Sequence, residues 1–254
     1  MTFTSEIQAV AICRTPYKQK FGIPRQPGLV TAARGFVELQ APFNHIDTVR
    51  GLEQYSHIWL LFSFHENLAQ GWKTTVRPPR LGGNEKLGVF ATRSTFRPNG
   101  IGQSVVKLHG IHQQKGKVVL EISAMDLLDG TPIIDIKPYI PFSDALSDAE
   151  GGIAHDAPVL AKVIFSDDVK QQLTNYEQNH YPNLQQIIEG VLAQDPRPAY
   201  KKAKVDPKQY QVALYDLDIL WRVIEGEIVV EAIRPSTLTK TADTESDSDA
   251  GASS

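Results

Sequence analysis

Val105-Val106-Lys107-Leu108-His109-Gly110-Ile111-His112, a break at Gln113–Lys117 that contains Gly116, Val118-Val119-Leu120-Glu121-Ile122-Ser123, and Asp129-Gly130 ahead of Thr131–Ile140 form the stretch that decides the fold class. Each run is rich in β-branched and aliphatic residues, and each break holds Gly or Asp-Gly, which turn a chain sharply. The pattern predicts consecutive antiparallel hairpins. Similar punctuation extends from Ile7 to about Phe165, with a strand expected at Gly88–Thr92. Helices that would alternate with strands in a parallel sheet are largely missing, which disfavours a doubly wound dinucleotide-type fold and favours a barrel or sandwich.

Past this body the period changes. Ser166-Asp167-Asp168 suits a helix start, Val169, Leu173 and Tyr176 follow near helical spacing, and a second helix is expected over Asn183–Leu192. Strands return at Tyr210–Leu214, Leu220–Val223 and Glu227–Ala232. The expected organisation is a β-barrel domain at 1–162, a small α+β domain at 163–236, and a disordered acidic tail at 237–254, whose Thr, Ser, Asp and Ala cannot offset the entropy of ordering.

The 254 residues carry 26 basic and 29 acidic side chains, for a net charge of −3. Asp243, Glu245, Asp247 and Asp249 lie in a terminal stretch without Lys or Arg, so the rest of the chain sums to −3 + 4 = +1. A near-neutral body still binds nucleic acid where its cations cluster. Cys13 is the single cysteine, which excludes an intrachain disulfide framework and fits a reducing compartment. Ile58-Trp59-Leu60-Leu61-Phe62 is far short of the roughly 20 residues that span a bilayer, and Met1–Glu6 has no signal-peptide character. A cytoplasmic protein without membrane association is expected.

Walker, Rossmann, zincin, C-x-x-C and G-x-S-x-G signatures are all missing. Three Arg-bearing loops shaped by Pro and Gly stand out instead: Phe21–Gly28 with Arg25, Arg77-Pro78-Pro79-Arg80-Leu81-Gly82-Gly83-Asn84, and Ala91–Gly102 with Arg93 and Arg97. Each alone reads equally as an exposed turn. Brought to one rim, they would form a site for an anionic ligand, because Arg presents a planar fork of donors.

In His57–His65, strand parity puts Ile58, Leu60, Phe62 and Phe64 on a core face. The other face holds His57, Trp59, Leu61, Ser63 and His65, a mixture that suits ligand lining, although a half-buried, hydrogen-bonded His is the commoner reading. No set of metal ligands is completed, so no metal is expected. Asp129-Gly130 is first of all a turn, while Asp135, Lys137 and Tyr139 share a face as an ion pair beside an amphipathic ring. Asp195–Lys204 gathers Arg197, Lys201, Lys202 and Lys204 around Tyr200, either a solvated charge run or a small contact patch for nucleic acid.

Six of these motifs in order, Pro24-Arg25-Gln26, His57–His65, Arg77–Gly83, Ala91–Gly102, Asp129–Tyr139 and Asp195–Tyr200, resemble the TsaA-like (TrmO or YaeB) family of S-adenosylmethionine-dependent tRNA methyltransferases, which N6-methylate threonylcarbamoyladenosine at position 37. The resemblance runs from about Ile7 through Pro235. It implies a non-Rossmann β-barrel methyltransferase acting as a homodimer, with the cofactor near the subunit interface. It assigns Pro24, Arg25, Gln26, Phe64, His65, Arg93, Ser104, Leu128, Asp129, Gly130 and Thr131 to S-adenosylmethionine. Arg77, Arg80, Arg97, Asn99, Lys137 and Tyr139 fall to the substrate nucleoside, and Arg197, Tyr200, Lys201 and Lys202 to tRNA. The main departure is Gly100, where relatives often carry Pro, expected to loosen the turn.

The acceptor N6 belongs to a urea, so removing its proton favours attack, and His65 or Asp135 is the expected base. Asp129 and nearby carbonyls suit the cationic sulfonium, and Arg93 or Arg25 the cofactor's carboxylate. Two rivals remain: a noncatalytic RNA-binding barrel, with salt-dependent binding and no cofactor, and a methyltransferase with another acceptor.

Overall fold

The computed structural model describes residues 3–81, 85–114, 116–197, 199–202 and 206–236. The tail expected at 237–254, Gly82-Gly83-Asn84, Lys204 and the Tyr200 side chain lie outside the described residues.

The first half is a closed barrel built from β1 (Ala11–Arg14), β2 (Arg34–Leu39) and β3 (His57–Ser63), then, after a short ribbon of β4 (Thr75–Val76) and β5 (Leu87–Gly88), β6 (Ile101–Gln114), β7 (Lys117–Ser123) and β8 (Thr131–Pro138). Round the barrel the order is β1-β2-β7-β6-β3-β8, and β8 closes onto β1. All neighbours are antiparallel. Alternation decides which side chains fill it: Ile58, Leu60 and Phe62 of β3 and Ser104, Val106 and Leu108 of β6 are buried inside, while the residues between them face outward. Closure leaves no edge strand exposed.

Two strand expectations are corrected. β6 and β7 form a hairpin, but β7 and β8 do not, because β7 is already paired on both sides, by β2 and β6. Ala124, at φ 64°, turns the chain out of β7, and the next strand crosses to pair with β1 and β3. The Asp129-Gly130 turn accordingly closes onto the β1 segment, where the Asp129 and Gly130 amides donate to the Tyr17 and Cys13 carbonyls at 2.9 and 2.8 Å. The strand expected at Gly88–Thr92 stops at Gly88. Its partner β4 offers two residues only, and the Thr92 amide and hydroxyl both fold back onto the Val89 carbonyl.

The second half is a four-stranded sheet in the order β10 (Tyr210–Leu214), β11 (Leu217–Ile224), β12 (Glu227–Pro235) and β9 (Val163–Phe165), the last parallel to β12. A short helix α1 (Pro141–Asp144) follows the barrel, α2 (Asp167–Asn179) and α3 (Leu184–Leu192) follow β9, and α4 (Ala199–Lys202) precedes β10. Ser166 caps α2 by accepting from the Val169 amide, leaving Val169 and Leu173 to bury one helix face. Strand β11 starts earlier than expected because Tyr215, at φ 57°, reverses the chain at once.

Both halves share one apolar cluster, in which Tyr17, Val30 and Val37 belong to the same packing as Ile187, Leu214 and Trp221. A bridge between Tyr17 and Leu214 and a 2.7 Å bond from the Tyr215 amide to the Pro16 carbonyl stitch the seam. Cys13 lies wholly inside, and burial pushes its thiol far above the ordinary range. Among the described residues no helix is long and apolar enough to cross a membrane.

Candidate active site

Antiparallel order puts the ends of β1, β3 and β7 at one rim of the barrel. The connections leaving them, 15–33, 64–100 and 124–130, therefore meet there. Pro24, Arg25, Gln26, Phe64, His65, Arg77, Arg80, Arg93, Arg97, Asn99 and Leu128–Thr131 all lie on these three connections or at their ends. Arg93 donates to the Gln26 side-chain carbonyl at 2.6 Å, joining two of them directly. Arg25 ties the rim to the second half, its amide donating to Gln194 Oε1 at 3.0 Å and its guanidinium to the Asp195 carbonyl at 2.9 Å.

The Arg97–Gly102 turn seats the aromatic side of this rim. Asn99 and Gly100 are consecutive left-handed residues, and the Gly100 amide bonds the Arg97 carbonyl at 3.1 Å while its own carbonyl accepts from Phe64 at 2.8 Å. The turn is tight rather than loosened. Proline, held near φ of about −65°, cannot adopt this conformation, and a β-carbon at Gly100 would meet Leu68 at 2.5 Å. At Gly102 a β-carbon would meet the Phe62 ring at 2.5 Å and Phe64 at 2.8 Å, so a bare backbone is what lets that edge-to-face pair, 5.3 Å apart, lie on β6.

The 124–130 connection also carries Asp126. Its Oδ1 is buried without a hydrogen-bond partner among the described residues, and so is the nearby Tyr17 hydroxyl. Burial pushes the Asp126 carboxyl up to about 6, against the opposing effects of a hydrogen bond with Ser104, its own amide and the charge of Arg93. Ser104 is 2% exposed, pointing into the barrel from β6.

The family model of the tRNA-methyltransferase O N-terminal domain matches residues 12–145, and that of the TrmO C-terminal domain matches 158–236. The chain belongs to the TrmO family. It is 49% identical over 231 residues to a tRNA (adenine(37)-N6)-methyltransferase of Escherichia coli K12, spanning 91% of this chain and 98% of that protein. It is 47% identical over 226 residues to a putative S-adenosylmethionine-dependent methyltransferase, RcsF, of Pseudomonas aeruginosa, spanning 89% and 96%. A crystal structure of TrmO from P. aeruginosa superposes with a TM-score of 0.77 at 40% identity, covering 93% of this chain and 99% of that one.

Against the TrmO motifs, the structure separates residues by what holds them. Both Asp129 oxygens are occupied, Oδ1 by the Thr15 amide at 2.9 Å and Oδ2 by Lys18 at 2.7 Å. The acid left with an open oxygen is Asp126, which sequence reasoning passed over. Its available signal was an acidic residue inside the apolar run Met125-Asp126-Leu127-Leu128. Arg197 is not an exposed cation: it is 7% exposed and its fork is filled by Asp195, Nε to Oδ1 and Nη2 to Oδ2 both at 2.9 Å. Lys201 and Lys202 stand more open, 3.7 Å from Asp206 and Asp195 respectively. Arg97 spends one donor on the Thr92 carbonyl, Arg80 bonds the Asp156 carbonyl, and Arg77 is exposed.

Asp135, Lys137 and Tyr139 are not brought to this rim. They lie on the outer wall, with Asp135 paired to Lys137 at 2.6 Å and the Tyr139 ring 5.6 Å from Trp59. At about 3.3 Å per residue, Tyr139 is roughly 26 Å along the strand direction from the turn at Thr131. Of the two expected bases, His65 is at the rim beside Glu66 at 3.8 Å, while Asp135 opposes Leu61 on the wall, four residues or roughly 13 Å along the strand from Thr131.

Proposed function

We propose that this chain transfers a methyl group from S-adenosylmethionine to N6 of adenine 37 in tRNA, with threonylcarbamoyladenosine as the acceptor nucleoside. The observation that carries the reading is the convergence of three motif-bearing connections on one rim, one of them carrying Asp126. The residues there fit the cofactor. Arg93, braced by Gln26, offers its remaining donors to a carboxylate. The buried Asp126 oxygen calls for a cationic partner, and Phe64 presents an apolar ring.

S-adenosylmethionine, when bound, supplies a methyl group made electrophilic by its cationic sulfur. The chain's part is then positioning, since displacement needs nitrogen, methyl carbon and sulfur in line. Asp126, largely ionised at neutral pH, would hold the cofactor's positive charge, and Arg93, braced by Gln26, would hold its carboxylate. His65 stands at the rim to accept the N6 proton, and Arg77, exposed, and Arg97, half-buried, stand where a threonyl carboxylate would be read.

The reading includes a homodimer. Its cofactor rim would lie near the contact between the two copies. The reading also includes a cytoplasmic location, the compartment in which a tRNA pool would supply its substrate.

The test is transfer of labelled methyl from S-adenosylmethionine to two tRNA pools, one carrying threonylcarbamoyladenosine and one lacking it, with Arg93→Ala as control. Incorporation into the first pool alone, lost in the variant, is expected. Incorporation into neither pool, or equal incorporation into both, overturns the assigned acceptor.

A further inference from the structure

A second cluster of cations lies outside the rim site, in a groove of about 400 Å³ on the outer wall of the barrel. Arg34, His57, Lys107, His109, Ser123 and Gly28 are among the residues that line it. Strand register makes four of them a single transverse row: Arg34 opposes Ser123, Ser123 opposes Lys107, and Lys107 opposes His57. With strands about 4.8 Å apart, the row spans roughly 14 Å of wall.

The charge in this row is poorly matched. Lys107 has no carboxylate at ion-pair distance among the described residues. Arg34 has only Glu121, 3.9 Å away, and Glu121 is shared with His112 at 3.1 Å. The imidazole of His109, bonded to the Ser123 hydroxyl at 2.8 Å, registers the resulting field. Burial first, then the charges of Arg34 and Lys107 and the neighbouring His57, hold it below its ordinary value against the opposing pull of Glu121.

The ends of the groove give it a direction. At one end Gly28, whose amide donates to the Ala124 carbonyl at 2.8 Å, continues the connection that carries Pro24, Arg25 and Gln26. At the other end the row runs into rings: Tyr139 donates its amide to the His57 carbonyl, and its ring lies 6.3 Å from His57 and 5.6 Å from Trp59. Cations followed by half-buried rings that keep part of their surface open are what a single-stranded polynucleotide contacts, its phosphates paired and its unstacked bases laid on rings.

We propose that this groove binds the phosphate backbone of the tRNA anticodon loop, with Arg34 and Lys107 as phosphate contacts and His57, Trp59 and Tyr139 as the surface for bases leading away from the rim. The proposal rests on tRNA being the substrate. A basic groove continuous with the motif-bearing connection gives the loop a track along which its target base reaches the rim.

The test measures affinity for unmodified tRNA transcript across a salt series, using the full chain, Arg34→Gln/Lys107→Gln and Lys107→Glu. Wild-type methyl transfer to tRNA and calorimetric titration with S-adenosylmethionine run alongside. Expected are weakening on the order of tenfold or more, a log affinity against log salt slope shallower by about 1.4 in the double variant, at roughly 0.7 per single-stranded phosphate, and unchanged cofactor affinity. An unchanged tRNA affinity and slope overturns the groove. So does loss of cofactor binding, which would make the groove part of the rim site, and so does a shift in sedimentation, which would make it a contact between copies. Absence of wild-type transfer to any tRNA would instead remove the substrate reading itself.

Discussion

Ionised Asp126 works against the fold that contains it. Its carboxyl is raised from the usual 3.8 to about 6, so between those values the folded chain holds a proton that the unfolded chain has released. Stability from this group is therefore full below pH 4 and declines as pH rises through 6, by an amount on the order of 2 kcal/mol. Asp126→Asn removes that cost while deleting the charge: the expected outcome at pH 7.5 is a Tm higher by about 4 °C together with cofactor affinity weaker by about 10- to 100-fold. Wild-type affinity for the cationic cofactor should also fall as pH drops through about 6, and the variant's should stay flat across that window. Calorimetric titration at several pH values and a thermal melt check the pair. A variant with lower Tm and unchanged affinity would make Asp126 a structural residue only.

At the scale of elements, the strands owe their positions to alternation, and alternation is readable. The inward series Ile58, Leu60, Phe62 is legible from residue order alone, as are the Ser166 cap and the spacing of Val169 and Leu173. What is not legible is partnership. Nothing in Val118–Ser123 tells that β2 and β6 take both its sides, so the next strand is assigned to the wrong neighbour. The same limit hid Asp126, since an acid becomes buried only when nonlocal strands close over it. The Arg loops were recognisable as unusual, but their common rim is a product of strand order.

Two substitutions test the elements. Gly102→Ala forces Phe62 and Phe64 aside and is expected to cost about 1–3 kcal/mol by overpacking, seen as a lower denaturant midpoint at unchanged slope. Ser166→Ala removes the α2 cap and is expected to cost about 1 kcal/mol, leaving methyl transfer unchanged.

At the scale of the whole molecule, barrel and sheet unfold together if their shared cluster is one core. Tyr17 and Val30, 0% and 3% exposed, lose their cover when the second half is removed. A scanning calorimetry trace with one transition, its calorimetric and van't Hoff enthalpies equal, is expected. Two resolved transitions would mean that the seam at Tyr17, Leu214 and Arg25 holds two independent bodies. A barrel fragment ending near residue 157 should expose this apolar seam and aggregate.

The sealed position of Cys13 on β1 makes the chain its own stopwatch. A thiol reagent cannot reach sulfur while β2 and β8 flank that strand, so each labelling event marks a moment when the barrel has come apart. The labelling rate in native buffer, compared with that in denaturant, reads the frequency of opening without any engineered probe, and added cofactor should slow it in proportion to how tightly it holds the rim shut.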